Sequence, residues 1–313
     1  MSSDSPFPGW THHLLEAAGV QAGEHVLVVV DPPIAEQGDH LVGAAQLRGA
    51  TTELEIWEGV APVEAGARAD VCLFLARYPK PHEGDERFKL NHSVTGHGGR
   101  EIYMGLVDKE LLEGELSETP PDLTGNAAKL LAQVQGASEI RITGAAGTDL
   151  TLRVEGRHWN NDTGVLEAGH FANFPNGEIY IAPLRDGTDG VLVADLTVPY
   201  TVEGLVDEPV TLRFTAGRVT SIEGGRAADM LRAIVEEAGT GADVIAELGI
   251  GFNPAVIPRG HVMLDEKAAR TAHVAIGRNT GTYGGDNEAK IHVDCIFSEP
   301  TVWADGQLVE LPA

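Results

Sequence analysis

The sequence has 313 residues, of which 42% are hydrophobic and 22% charged. This is the composition of an ordinary globular protein, and the length suits two modest domains. A net charge of −25 repels phosphate groups and argues against nucleic acid or a membrane surface as a partner. No run of about 18 apolar residues is present, the start "MSSDSPFPGW" lacks a secretory pattern, and only two cysteines occur. A cytoplasmic protein is therefore expected.

The first third alternates between strand and helix patterns. The stretches "HVLVVVD" (25–31) and "DVCLFLA" (70–76) are nearly continuous apolar runs, as in strands buried on both faces. "ELEIW" and "REIYMGLV" (100–107) add further strands, and 38–47 has helical character. Strands separated by helix-length segments predict an α/β domain with a mainly parallel sheet.

The pattern changes after a segment rich in Pro and Gly at 116–126. Short strand patterns joined by Gly- and Asp-containing turns then dominate, which is typical of antiparallel hairpins. Helices are predicted at 227–239 and, briefly, over "DEKAARTA" (265–272). The sequence thus predicts an N-terminal α/β domain at 1–125 and a strand-rich α+β domain at 126–313, which carries the functional site.

Common catalytic signatures are absent. The sequence contains no G-x-S-x-G, H-E-x-x-H, Walker or C-x-x-C motif, and "VLVVVDPP" ends in prolines instead of a dinucleotide-binding glycine motif. Cys72 lies among apolar residues and is predicted to be an inert core thiol. Cys295 follows Asp294 in the sequence and is predicted to lie on the opposite face of its strand, and neither cysteine is expected to be a nucleophile.

Two polar residues interrupt the apolar strand pattern "KIHVDCIF". His292 and Asp294 are two positions apart, so both side chains leave the same face of a strand. Burying an unpaired carboxylate costs several kcal/mol, and a divalent cation would compensate that cost. A buried His–Asp hydrogen bond is the alternative, and the pair alone does not decide between them.

Three further residues occupy strand positions of the same unusual kind. Glu247 lies in "DVIAELGIG", Glu178 opens a strand after a Pro/Gly turn, and His273 begins "HVAIG". Three carboxylates and two imidazoles suit one or two divalent metals, provided that the five side chains converge in space.

A family resemblance connects these stretches. "NFPNGEIYIAP", "AELGIGFNP", "DEKAARTAHVAIG", "GG" and "IHVDC" follow the order seen in the thermophilic-aminopeptidase family of metallopeptidases, the aminopeptidase T, aminopeptidase S and PepS type. "GTDLTLRVEGR" (147–157) also resembles that family. The resemblance covers about 140–313, and the N-terminal part only loosely.

The resemblance implies a metallo-aminopeptidase-like hydrolase with two metals, in which a carboxylate bridges the ions and an activated water attacks an amide carbonyl. The implied ligands are Glu178, Glu247, His273, His292 and Asp294. Mixed O/N ligation discriminates poorly among zinc, cobalt and manganese. Small peptides or related amides are the expected substrates, and a homodimer is the expected assembly.

One position departs from the family pattern. The family usually has a tyrosine seven residues after the first histidine, suited to stabilising the oxyanion, whereas this sequence has Thr280. Tyr283, in the same glycine-rich turn, is the candidate substitute.

Two other functions compete with peptide hydrolysis. The 2,5-dihydroxypyridine dioxygenase of nicotinate degradation is similar to this family and uses one Fe(II) ion to open an aromatic ring. Two His and one carboxylate suffice for mononuclear iron, so Glu178 and Glu247 favour two metals and hydrolysis. A non-catalytic metal-binding protein is the second alternative.

Overall fold

The computed structural model describes residues 5–76, 83–117, 120–164 and 166–312. The chain forms two compact units. The first consists of Met1–Pro120 with Gly164–Asn176, and the second of Pro121–Thr163 with Gly177–Ala313.

The regular elements follow the chain in this order. The helices are α1 (Gly9–Ala17), α2 (Ala35–Leu47), α3 (Val63–Gly66), α4 (Gly84–Thr95), α5 (Lys109–Glu113), α6 (Thr124–Val134), α7 (Arg226–Ala238) and α8 (Val262–Asp265). The strands are β1 (His25–Val30), β2 (Thr51–Ile56), β3 (Val71–Ala76), β4 (Arg100–Gly105), β5 (Glu139–Thr143), β6 (Asp149–Arg153), β7 (Asn160–Asp162), β8 (Phe171–Asn173), β9 (Glu178–Ile181), β10 (Thr188–Ala194), β11 (Val210–Thr215), β12 (Arg218–Glu223), β13 (Ile245–Gly251), β14 (Thr271–Gly277), β15 (His292–Ser298), β16 (Thr301–Ala304) and β17 (Gln307–Leu308). Short 3₁₀ helices cover Pro32–Ile34, Glu115–Ser117 and Gly281–Tyr283.

The first unit contains a five-stranded sheet in the order β2-β1-β3-β4-β8, with every pair parallel. Every residue of β3 and all but the first of β1 are buried, because a parallel sheet is covered on both faces. The predicted parallel α/β architecture is confirmed. Strand β8, from the later segment of this unit, had no counterpart in the sequence prediction.

The second unit contains two antiparallel sheets. The seven-stranded sheet has the order β12-β11-β10-β6-β5-β16-β17, and the five-stranded sheet has the order β15-β14-β13-β9-β7. Their apolar side chains meet in one core, to which α6 and α7 contribute Leu130 and Leu231. The predicted strand-rich α+β organisation is confirmed.

The five-stranded sheet has two very different faces. Side chains alternate between faces along each strand, and one set joins the core: Ile179, Ile181, Leu248, Ile250, Ala272, Val274, Ile276, Val293, Cys295 and Phe297. The opposite face carries the predicted metal ligands together with glycine and alanine. We call this second surface the polar face.

The short helix predicted over 265–272 is wrong. Helix α8 ends at Asp265, and residues 266–270 form turns that lead into β14. The backbone of this segment bonds to a neighbouring loop where a helix would continue, since Asn253 N–H donates to the Lys267 carbonyl at 2.8 Å and Ala269 N–H to the Asn253 carbonyl at 2.9 Å.

Among the described residues, no helix combines the length and the apolar character needed to cross a membrane.

Candidate metal centre

The five predicted ligands all lie on the polar face. Glu178 opens β9, Glu247 lies in β13, His273 in β14, and His292 and Asp294 in β15. The strand order β15-β14-β13-β9 makes these strands successive neighbours. Residues far apart in the sequence are therefore brought side by side by sheet pairing alone.

Strand register places small residues between the ligands. Ala275 pairs with Glu247 on one side and with Asp294 on the other, while Gly251 pairs with Glu178. Directly opposed residues on a sheet have Cβ atoms about 5 Å apart, so the polar side chains can incline toward each other over the small ones.

Gly249 provides the space for one imidazole. It pairs with His273 on β14 and with Tyr180 on β9. A Cβ atom at Gly249 would lie 2.1 Å from the His273 ring, so the ring lies over this glycine. A side chain here would displace the imidazole, which explains a glycine within a strand interior.

Glu178, Glu247 and His273 form the first group of potential ligands. His273 Nε2 is 3.4 Å from Glu178 Oε2 and 3.6 Å from Glu247 Oε1. All three side chains are buried, and one ligand atom from each lies within 4.8 Å of the others. Glu178 Oε2 and His273 Nδ1 have no hydrogen-bond partner among the described residues.

Glu247, His292 and Asp294 form a second group with the same spread. His292 Nε2 is 3.1 Å from Glu247 Oε2 and 3.3 Å from Asp294 Oδ1. Glu247 thus belongs to both groups, with Oε1 directed to His273 and Oε2 to His292. Glu247 is therefore the residue that the two groups share.

The other ring nitrogen of His292 is already in use. His292 Nδ1 is 2.7 Å from the Arg278 carbonyl. A carbonyl only accepts, so Nδ1 carries the proton and, in the neutral ring, the lone pair is on Nε2, facing the carboxylates. A backbone carbonyl behind a histidine is the usual arrangement that orients a metal-binding imidazole.

Electrostatics within the cluster favour the charged forms of His273 and Asp294 despite burial. Burial opposes a charged imidazole, but Glu247, Glu178 and Asp294 raise the pKa of His273 to about 9. Burial likewise opposes a charged carboxylate, yet His292 and His273 hold the pKa of Asp294 at about 2. Without metal the imidazoles thus act as the compensating cations, and a metal ion would have to displace their protons.

Four residues near the predicted ligands were missed in the sequence: Asp162, Tyr180, Glu266 and Lys267. Lys267 Nζ is 2.5 Å from Glu178 Oε1, 2.9 Å from Glu266 Oε1 and 3.7 Å from Asp162 Oδ2. Burial disfavours an ammonium ion, but Glu178, Glu266 and Asp162 outweigh that effect and raise the pKa of Lys267 well above its usual value. For Glu266 and Lys267 the available signal in the sequence was the charged triplet "DEK" shortly before an apolar strand.

The glycine-rich turn after β14 is held by two buried asparagines. Asn279 accepts from Asn287 N–H at 2.8 Å, and Asn287 Nδ2 donates to the Gly241 and Gly277 carbonyls at 2.8 and 2.6 Å. These bonds satisfy backbone groups that the turn would otherwise leave unpaired.

Tyr283 lies in this turn beside the cluster. Its ring stacks on His292 with centroids 4.8 Å apart, and it meets the edge of Tyr180 at 5.8 Å. Thr280, which replaces the expected family tyrosine, accepts a bond from Arg278 Nε at 3.2 Å. The turn thus places an aromatic side chain against His292, but from Tyr283, three residues after the position of the family tyrosine.

The donor set fits two divalent ions. Five carboxylates line the cluster: Asp162, Glu178, Glu247, Glu266 and Asp294. Against them stands one ammonium, that of Lys267. With all five carboxylates ionised and the imidazoles neutral, four negative charges remain, and two divalent ions would balance them. Oxygen and imidazole donors suit zinc, cobalt and manganese.

The cysteines take no part in this cluster. Cys72 and Cys295 are both buried and free, and burial raises the pKa of each thiol. Cys295 belongs to the core face of β15, opposite its neighbour Asp294, as predicted.

Comparison with known sequences identifies a family for the second unit. Residues 123–310 match the family described as thermophilic metalloprotease (M29). Aminopeptidase AmpS of Bacillus subtilis (strain 168) is 30% identical over 184 residues, which cover 52% of this chain and 44% of AmpS. The match therefore spans less than half of that curated relative.

Two solved structures share the fold. The 2,5-dihydroxypyridine dioxygenase of Pseudomonas putida KT2440 superposes with a TM-score of 0.75 at 18% identity, over 97% of this chain and 94% of the dioxygenase. Wild-type AmpT of Thermus thermophilus gives a TM-score of 0.68 at 18% identity, over 96% and 98% of the two chains. At this identity the two likenesses concern the fold alone.

Proposed function

The chain belongs to the thermophilic metalloprotease (M29) family, and we propose that it is a two-metal aminopeptidase that removes N-terminal residues from small peptides. The family match and the resemblance to an aminopeptidase support the reaction class. Zinc, cobalt or manganese is the proposed metal, because the donors are carboxylate oxygens and imidazole nitrogens.

The observation that carries the proposal is the shared position of Glu247. Its two oxygens face different histidines, 3.6 Å from His273 and 3.1 Å from His292. In a two-metal site with ions about 3.5–4 Å apart, a carboxylate bridges the pair. Glu178 and His273 would hold one ion, His292 and Asp294 would hold the other, and Glu247 would contribute to both.

The protein residues prepare this cluster for its ligands. The Arg278 carbonyl fixes His292 with Nε2 inward, and the space above Gly249 accommodates His273. Divalent ions bound there would polarise the scissile carbonyl and lower the pKa of a water molecule. The surplus of carboxylates also suits the free α-ammonium group of a peptide, which needs a negatively charged partner.

Tyr283 is the proposed oxyanion donor in place of the missing family tyrosine. Its stacking on His292 keeps its ring next to the second group of ligands. Tyr283→Phe retains the ring and loses the hydroxyl, so kcat should fall by about tenfold or more with little change in KM. Thr280→Val is the matched control and should leave kcat nearly unchanged. Equal kcat for wild type and Tyr283→Phe would remove the assignment.

Metal content and hydrolysis test the proposal together. Protein purified without chelator should hold close to two equivalents of zinc, cobalt or manganese and should hydrolyse aminoacyl p-nitroanilides. Asp294→Ala should lose hydrolysis and part of the metal while keeping the wild-type circular dichroism spectrum. Wild-type turnover in Asp294→Ala would contradict its role as a ligand.

The same measurement distinguishes the alternatives. One equivalent of bound Fe(II), together with oxygen consumption in the presence of a dihydroxypyridine, would contradict the hydrolase and support a ring-opening dioxygenase. Two bound metals without turnover on any peptide or amide would favour a metal-binding protein without catalysis. Glu178 and Glu247 favour hydrolysis, because a mononuclear site needs only two histidines and one carboxylate.

We also propose a cytoplasmic homodimer. Two buried free thiols suit a reducing compartment, and the family resemblance suggests the dimer. Light scattering coupled to size exclusion would test the assembly, and a mass equal to that of one chain would contradict it.

A further inference from the structure

Lys267 reaches the candidate metal centre from outside the sheet, and we propose that it is a positioning residue which makes Glu178 a one-oxygen ligand. Lys267 would thereby control one of the two metal positions, the one formed by Glu178, Glu247 and His273. This inference rests on the proposed two-metal function and deepens it.

The two oxygens of Glu178 have different surroundings. Oε1 accepts from Lys267 Nζ at 2.5 Å, whereas Oε2 has no hydrogen-bond partner among the described residues and lies 3.4 Å from His273 Nε2. A free carboxylate offers both oxygens to a cation. With one oxygen occupied by the ammonium group, only Oε2 remains for a metal.

The backbone of Lys267 is anchored on both sides. Its N–H donates to the Leu264 carbonyl at 3.0 Å, and its carbonyl accepts from Asn253 N–H at 2.8 Å. The next residue, Ala268, lies so close to β13 that a Cβ at Gly251 would be 2.3 Å from the Ala268 carbonyl oxygen. The backbone that carries the Lys267 side chain is therefore held in place, which a positioning residue requires.

Burial makes this interaction strong and specific. The Lys267 side chain is 1% exposed and the Glu178 side chain 6% exposed, so water does not compete for either group. Lys267 also pairs with Glu266 and Asp162, so two further carboxylates hold the ammonium group in place. Among the predicted metal ligands, Glu178 is the one with which Lys267 forms an ion pair in the described part of the chain.

Removing Lys267 alone would leave several buried carboxylates without compensation and could unfold the chain. The test therefore compares the triple variant Lys267→Met, Asp162→Asn, Glu266→Gln with the double variant Asp162→Asn, Glu266→Gln. The two proteins differ only at Lys267, so any general effect of removing the two negative charges cancels. Metal-free protein is titrated with Co²⁺, and binding is followed by equilibrium dialysis and by the visible Co²⁺ spectrum.

We expect the double variant to bind two Co²⁺ ions. In the triple variant one of the two should bind about tenfold or more weakly, as for other residues that orient metal ligands, with the second affinity unchanged. Adding Glu178→Gln should weaken the same ion in the double variant and add little in the triple variant, because both changes act through one carboxylate.

Lys267→Arg provides a second variant that keeps the charge. A guanidinium fork can cover both oxygens of Glu178, so this variant should also lose one Co²⁺ ion. A lysine that served only to neutralise charge would tolerate the exchange, and both ions would be retained.

The outcomes separate the two levels of the proposal. Two Co²⁺ ions of unchanged affinity in the triple variant, or equal weakening of both, would overturn the role of Lys267 and leave the two-metal function standing. A single Co²⁺ ion in the wild-type protein would overturn the two-metal function and, with it, the selective role of Lys267.

Discussion

Each of the two units buries carboxylates in a five-stranded sheet, but with different consequences. In the first unit, Glu101 on β4 is 1% exposed, and Asn91 Nδ2 donates to its Oε2 at 2.7 Å. Burial raises the pKa of Glu101 to about 7, although Asn91 and Arg87 oppose the shift. This carboxyl group has local partners and can remain neutral.

In the second unit the buried carboxylates face each other and two imidazoles. Burial raises the pKa of Glu178 to about 8 although Lys267 and His273 oppose the shift. One oxygen of Glu178 has no hydrogen-bond partner in the described part of the chain. The comparison shows that burial of a carboxylate does not by itself indicate a metal site. Convergence of several ligands, with an oxygen left over, is the informative feature.

Glu247→Gln should have the largest effect, because it changes the residue that both groups of potential ligands share. The amide cannot bridge two cations as a carboxylate does, so both metal positions should weaken. The several kcal/mol that a metal centre supplies correspond to a fall in kcat/KM of about a thousandfold or more. Co²⁺ titration and hydrolysis of an aminoacyl p-nitroanilide would measure the two losses.

The matched control is the same chemical change in the other sheet, Glu101→Gln. It should retain both Co²⁺ ions and nearly wild-type kcat/KM. A Glu247→Gln protein that still bound two Co²⁺ ions with wild-type affinity would show that Glu247 is no bridge.

Gly249→Ala should have an intermediate effect. The added Cβ would overlap the His273 ring, and overpacking of a buried site costs about 1–3 kcal/mol. Displacement of the imidazole should weaken one Co²⁺ ion by about tenfold. Denaturant unfolding and Co²⁺ titration measure these effects.

Gly125→Ala is the control for that substitution. Gly125 lies in α6 with nothing within 4 Å of an added Cβ, so its effect should stay within about 1 kcal/mol and leave Co²⁺ binding unchanged. Identical results for both glycines would mean that His273 can shift without loss.

The sequence predicted the ligand strands because their pattern violates the rule for a buried strand. His273, Glu247 and the His292/Asp294 pair stand at positions where the neighbours are apolar, and period-two alternation places them on one face. The parallel sheet of the first unit was predicted for the converse reason, since continuous apolar runs identify strands covered on both faces.

The rest of the site depended on contacts that no local pattern contains. Lys267 lies in a stretch that was predicted to be a short helix. The hydrogen bond from Asn253 N–H to its carbonyl shows that it lies instead in a turn, from which its side chain reaches Glu178. Asp162 reaches the cluster because β7 pairs with β9, and Gly249 matters because of its cross-strand partner. Register, which sets these neighbours, is decided by the whole sheet.

Glu101→Gln should have the smallest effect on metal binding and activity, and its effect should appear in the pH dependence of stability. The folded protein holds the Glu101 proton with a pKa of about 7, against an ordinary value of 4.5. The stabilisation from this proton is complete below the unfolded pKa and is lost as the pH rises toward the folded pKa. Between about pH 4.5 and pH 7 the free energy of unfolding should therefore fall by about 3 kcal/mol because of this group.

The glutamine variant lacks this contribution. Urea unfolding at about pH 5 and about pH 8 should therefore show a smaller decline in the free energy of unfolding than in wild type. An identical decline in both proteins would mean that Glu101 keeps its ordinary pKa, and the contrast between the two sheets would lose its electrostatic basis.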